Sequence, residues 1–138
     1  MTDAGFLELP VRVYIEDTDA GGIVYYVNYL KFMERARTEF MRQFGYRHYA
    51  LAEQNFQFVV QSCNIRYRRP ARVDDLLAVR AELIRLGRAS LVFLQQVQRD
   101  GELLCEAEVR VGCVDNASMR PAPMPDELYH ILKGETGL

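Results

Sequence analysis

Three carboxylates, Glu16, Asp17 and Asp19, crowd into one short stretch, and two glycines, Gly21 and Gly22, follow them directly. A carboxylate in such a turn can act as general base toward water, or attack an electrophilic carbon itself. The glycines let the backbone approach a bulky substrate closely. A helical pattern begins just beyond, near Tyr26, and a helix start carries unpaired N–H groups and a partial positive charge. Such donors suit the oxyanion that develops when a carbonyl is attacked. The same residues also read as an acidic loop that favours a helix start, with glycines that only make a turn.

Other side chains compete for chemical roles. Asp17 shares the parity of Val11, Val13 and Ile15, so it points inward if that strand runs on, either toward chemistry or as a brace for the turn. Glu34 lies about two turns into the helix, where it could face a substrate. Lys31 and Arg37 stand three residues to either side, so a surface ion pair is the simpler reading. Cys105 and Cys113 fall on the apolar face of a strand pattern, where a free thiol packs as a small hydrophobe. With Cys63 they make an odd count without C-x-x-C spacing. Arg66, Arg68, Arg69 and Arg72 are the densest basic stretch. They suit phosphate recognition by guanidinium forks, or a solvated strand end balanced by Asp74 and Asp75.

The elements that must position these groups follow from periodicity. Residues 11–16 alternate as a half-buried strand, which breaks at the glycine turn. From residue 26 the period lengthens, with Leu30, Met33, Phe40 and Phe44 on one helical stripe, interrupted by Arg37 and broadened by Tyr29, Ala36 and Met41, in a helix that ends at Gly45. Strand signals follow near 56–68, 75–86, 90–99 and 103–115, with a tight-turn Asp100-Gly101 before the last. The tail runs past Pro121, Pro123 and Pro125 into a short amphipathic helix carrying Leu128, Ile131 and Leu132. One helix against one antiparallel sheet is an α+β arrangement. Its open edges and second face favour pairing with further copies, as a homodimer or homotetramer.

Composition bounds the rest. A length of 138 residues suits one domain. The net charge of -2, with acids and bases interspersed, gives no general reason to expect nucleic-acid binding and leaves room for a local basic pocket for one phosphorylated ligand. No apolar run approaches the roughly 18 residues of a membrane span. The opening MTDAGFLELP lacks the basic and apolar regions of a secretory signal, so a cytoplasmic protein with free thiols is expected.

Residues 11–46, VRVYIEDTDAGGIVYYVNYLKFMERARTEFMRQFGY, resemble the signature region of the hotdog-fold acyl-CoA thioesterases of the 4-hydroxybenzoyl-CoA thioesterase type. They are most similar to the YbgC branch, associated with the bacterial Tol–Pal envelope system. The similarity continues through YRRPARVDDLL, GRASLVF and EAEVRVGCVD. It implies a single hotdog domain over residues 1–138, with an antiparallel sheet of about five strands around one central helix and active sites at a dimer interface. The implied reaction is hydrolysis of a short- or medium-chain or aromatic acyl-CoA to free acid and CoA. Asp19 would be base or nucleophile, and the backbone N–H of Tyr26 the oxyanion donor. Gly22 and Arg69, with Arg88 and Ser90 in the Gly87–Ser90 turn, would contact substrate or CoA. The resemblance implies no metal and no redox cofactor. It implies acyl-CoA, further copies of the chain and acyl carrier protein as partners. Many members of the branch carry histidine where this chain has Tyr26, an aromatic shared with the 4-hydroxybenzoyl-CoA enzymes. An acyl-CoA or acyl-carrier-protein binding module with little turnover is the alternative, and a hydratase on the same fold a more distant one.

Overall fold

The structure, a computed structural model, describes residues 5–46 and 55–138. Strand β1 (Phe6–Arg12) leads through a short 3-10 turn (Ile15–Asp17) to helix α1 (Tyr26–Arg42). Strands β2 (Phe56–Tyr67), β3 (Leu76–Leu86), β4 (Ser90–Arg99) and β5 (Glu102–Asp115) follow, and helix α2 (Asp126–Thr136) closes the chain. The five strands form one antiparallel sheet in the order β1-β3-β4-β5-β2. Sequence-predicted strand and helix order is retained, and the fold is the expected α+β one.

Helix α1 lies on β1, β3 and β4. Phe32, Met33, Ala36 and Phe40 are wholly buried against Val13, Val79, Ala81 and Phe93. Phe40 meets Phe93 edge-on, with ring centroids 5.3 Å apart. Met33 and Phe40 of the expected stripe are buried with Tyr29, Ala36 and Met41, whereas Leu30 is 37 % exposed and Phe32 packs in its place. The helix leans toward the β1 side, which leaves Leu30 facing away from the strands it packs on. Gly45 sits at φ 90° just past the helix, where a Cβ would be strained, and Tyr46 N–H closes the end on the Met41 carbonyl at 3.3 Å.

The first strand begins and ends earlier than its alternation predicts. Backbone N–H to C=O bonds from Asp17 to Tyr14 and from Thr18 to Ile15 wind the chain into the 3-10 turn. The turn throws Ile15 out to 80 % exposure, although its parity matches buried Val11 and Val13. At the β4–β5 hairpin both Asp100 (φ 51°) and Gly101 (φ 81°) are left-handed, as the turn type requires. Strand β2 forms one edge, bulges between Val60 and Ser62, and is exposed over most of its second half. In α2, Leu128 and Leu132 are buried, while Ile131 is 37 % exposed.

Candidate active site

The 3-10 turn delivers its two aspartates to different tasks. Asp17 is 7 % exposed, and its carboxylate accepts the Tyr14 N–H at 2.8 Å and the Asn28 side-chain amide at 3.0 Å. Its carbonyl accepts the Tyr25 N–H at 2.9 Å. It therefore braces the turn against the first turn of α1. Asp19 is exposed, at the tip of a small hairpin closed by the Thr18–Val24 bridge. One carboxylate oxygen, Oδ1, accepts the Gly21 N–H at 2.9 Å, the local bond typical of Asp in turns. Among the described residues Oδ2 has no protein partner. Gly22, at φ 78°, donates its N–H to the Asp19 carbonyl at 3.0 Å. The hairpin is held from the far side by Val24 N–H on the Ala71 carbonyl at 2.8 Å.

Helix α1 starts at Tyr26 with no side-chain cap and no acidic residue in its first turn. Asn28 N–H turns back to the Tyr25 carbonyl at 2.8 Å, whereas the Tyr26 N–H finds no acceptor among the described residues. The positive end of the helix thus stays uncompensated, two residues beyond the hairpin that presents Asp19. The Tyr26 ring is 57 % exposed and stands edge-on to Tyr25 and Tyr67. Beside it a cleft of about 310 Å³ is lined by Ile23, Tyr26, Tyr29, Tyr67, Arg69 and Pro70, among others. Tyr67 donates its hydroxyl to the Tyr26 carbonyl at 3.3 Å, and the Tyr29 hydroxyl accepts the Ala71 N–H at 2.9 Å. Burial pushes both phenols above their ordinary values, so they stay protonated donors at neutral pH.

Arg69 reaches this cleft and pairs with Glu102 at 3.0 Å, its side chain 67 % exposed. Asp75 pairs with Arg99 at 2.7 Å and also accepts the Arg72 N–H at 2.9 Å. Burial raises the Asp75 carboxyl, but the Arg72 N–H and the Arg99 guanidinium outweigh that and hold it below its ordinary value. Arg88 and Ser90 lie elsewhere. The end of β3 that begins at Leu76 adjoins the Asp19 hairpin, and the β3–β4 turn lies at its other end, ~35 Å away along an 11-residue strand. There Arg88 covers the Tyr129 ring at 4.1 Å and pairs with Asp126 at 2.9 Å. The cleft brings Tyr26 and Arg69 together, the hairpin carrying Asp19 and Gly22 leads into Tyr26 along the chain, and Arg88 and Ser90 lie apart.

The expected Glu34 ion pair does not form: neither Lys31 nor Arg37 comes within 4.0 Å of its carboxylate among the described residues. Burial pushes the Cys105 thiol up to about 12 and Cys113 up to about 11, which makes both inert packing groups. Cys63 is exposed on β2. His130 is exposed on α2, and His48 lies outside the described residues. No cluster of metal-ligating side chains occurs among the described residues. Sequence reasoning missed Asn28, Tyr67 and Gln95. A polar Asn and a polar Gln at inward positions of apolar elements were signals that could have flagged two of them.

Residues 13–132 match the family described as the Thioesterase-like superfamily. The acyl-CoA thioesterase YbgC of Haemophilus influenzae is 44% identical over 137 residues, 96% of this chain and 100% of that protein. The structure titled "Probable Thioesterase from Bartonella henselae" superposes with a TM-score of 0.82 at 33% identity, over 87% of this chain and 99% of that one. A Thermus thermophilus thioesterase solved with coenzyme A and Zn superposes with a TM-score of 0.79 at 27% identity, over 95% of this chain and 94% of that one. The chain belongs to the thioesterase-like superfamily and, within it, to the YbgC acyl-CoA thioesterases.

Proposed function

We propose that this chain hydrolyses acyl-CoA thioesters to free acid and CoA, with Asp19 as the reacting carboxylate and the Tyr26 N–H as oxyanion donor. One observation carries the assignment: an uncapped helix start whose Tyr26 N–H finds no acceptor among the described residues, two residues beyond a hairpin that presents an exposed carboxylate with one oxygen unpartnered among them. The donor is aimed by the backbone, so it costs no reorganisation as charge builds on the carbonyl oxygen. The free Oδ2 of Asp19 either takes a proton from attacking water or adds to the carbonyl carbon. In both routes the tetrahedral oxyanion collapses to expel the CoA thiolate; direct attack leaves a mixed anhydride on Asp19, which water then hydrolyses to the free acid and the regenerated carboxylate. Gly21 sits close against the carboxylate, since a Cβ there would stand 3.3 Å from Asp19 Oδ1. The relatives' activity supports the CoA thioester as substrate. Arg69, on the cleft rim, is suited to a CoA phosphate.

The edge strand β2 extends this reading to the assembly. It leaves a 12-residue row of backbone groups open on one side, with Val60 54 % and Tyr67 44 % exposed. We infer that two copies pair through β2 and that dimers associate further into a tetramer. A second copy is also the means by which Arg88 and Ser90 reach a CoA moiety bound at the other protomer. No helix among the described residues is long and apolar enough to cross a membrane, and a cytoplasmic location fits a CoA-dependent hydrolase with three free cysteines.

The test is thiol release from acyl-CoA and acyl-carrier-protein esters, aliphatic and aromatic, by wild type and Asp19→Asn. Wild-type turnover that falls by at least about a hundredfold in a folded variant supports the assignment. Equal rates in the two proteins remove Asp19 from the chemistry. Ester binding without thiol release in wild type favours a binding module.

A further inference from the structure

The face of α1 that carries Tyr26 continues past the cleft. Arg37 lies three turns further on the same stripe, about 16 Å along the axis, with Leu30 and Glu34 between. Strand β2 runs alongside, with Tyr67 against Tyr26 at one end and Phe58 and Val60 near Arg37 at the other. A cavity of about 360 Å³ opens there, walled by Met41, Phe58, Val60 and Phe93, with Glu34, Arg37, Thr38 and Tyr46 as the polar side chains of its lining.

Arg37 is poorly matched in this setting. Its Nη1 donates to the Gln95 side-chain oxygen at 2.8 Å, and Gln95, wholly buried, is fixed in that orientation by donating its amide to the Met33 carbonyl at 2.9 Å. That neutral oxygen is the only hydrogen-bond partner of the guanidinium among the described residues, and no carboxylate lies within 4.0 Å. Glu34, the nearest acid in the cavity lining, is exposed and screened by solvent. Burial pulls the Arg37 guanidinium below its ordinary value, with Glu34 opposing. A half-buried cation with four donors unused among the described residues, beside a largely apolar cavity, is suited to an anion that accepts from its fork.

We propose that this cavity receives the far end of a medium-chain acyl group and that Arg37 binds a terminal carboxylate there, so that CoA monothioesters of α,ω-dicarboxylic acids are preferred substrates. The inference rests on the thioesterase reading of the Asp19 site. Chain length follows from the 16 Å interval, part of which the Arg37 side chain spans by leaning toward the helix N-terminus. Pairing of β2 with a second copy would close the cavity from solvent and strengthen the ionic contact.

The experiment compares kcat/KM for butyryl-, decanoyl-, ω-hydroxydecanoyl- and decanedioyl-CoA in wild type, Arg37→Leu and Arg37→Lys. Expected is a preference of about tenfold or more for decanedioyl- over decanoyl-CoA in wild type. That ratio falls toward one in Arg37→Leu and recovers in part in Arg37→Lys. A ratio within one protein is insensitive to loss of folded material. Equal use of decanoyl- and decanedioyl-CoA by wild type overturns the inference, and is the outcome if a carboxylate of a second copy already neutralises Arg37. A preference that survives Arg37→Leu, or ω-hydroxydecanoyl-CoA serving as well as the diacid, overturns it too. Turnover of butyryl- or decanoyl-CoA without that preference leaves the thioesterase reading intact. Absence of turnover on all four esters overturns the inference, while turnover of an aromatic acyl-CoA in the same assay would leave the thioesterase reading intact.

Discussion

The two aspartates of the hairpin make opposite demands on stability and activity, and substitution separates them. Asp17 is buried and accepts two hydrogen bonds, from the Tyr14 N–H at 2.8 Å and from the Asn28 amide at 3.0 Å. Asp17→Ala removes both and strands the buried Asn28 donor. A hydrogen bond to an ionised group contributes about 1.5–3 kcal/mol, so with an unsatisfied donor left behind the variant should lose about 3–4 kcal/mol. Asp17→Asn keeps one acceptor but turns an N–H toward the other donor, which should cost about 2 kcal/mol. A double-mutant cycle with Asn28→Ala should return a coupling of about 1–3 kcal/mol, because the partners touch directly. Asp19, by contrast, is exposed and holds only the Gly21 N–H within its own turn, so Asp19→Asn should change stability by less than about 0.5 kcal/mol. Urea unfolding followed by far-UV circular dichroism measures all four, and thiol release on the folded proteins supplies the second axis. Asp17 variants should lose stability first, and lose kcat only through a displaced hairpin. An Asp17→Ala protein as stable as wild type, or a cycle with zero coupling, would refute the brace.

Two further expectations concern the assembly and the acid limb of stability. Val60→Lys on the exposed edge strand should shift the protein toward monomer in sedimentation velocity, weakening association by at least about tenfold, because a lysine on an edge opposes strand pairing. An unchanged oligomer places the interface elsewhere. The Asp75 carboxyl is held below its ordinary value of 3.8. A depressed acid contributes stability that is present above the unfolded value and is lost as pH falls through the folded one. The urea midpoint of wild type should therefore drop below about pH 3.8. Arg99→Met should flatten that drop, since the Asp75 partner at 2.7 Å is gone. An identical acid limb in the variant would assign the dependence to other groups.

The sequence was a good guide wherever one local rule acted alone. The helical period from Tyr26, the alternation along β5 and the Asp100-Gly101 turn appear where their patterns place them, because each depends on neighbours a few residues away. The motif residues were equally legible as a group: Asp19, Gly22 and Tyr26 belong to one continuous stretch, so their proximity needs only the chain's own connectivity. Strand alternation misplaced Ile15, since a 3-10 turn changes the period without changing the residue types. The helix pattern misplaced Leu30, because which part of an apolar stripe is buried depends on the strands it meets. Long-range pairings were decided by the tertiary structure alone. The Asp17–Asn28 brace, the Tyr67 hydroxyl on the Tyr26 carbonyl, and the Arg37 guanidinium on the Gln95 side chain join residues whose types are ordinary in isolation. Burial converts such polar contacts from minor to decisive, since only there does a missing partner carry its full desolvation penalty. Sequence thus determined which groups the chain carries and the order in which they come, whereas the packing of α1 on the sheet decided which of them brace, which stay open to a substrate, and which are left unpaired.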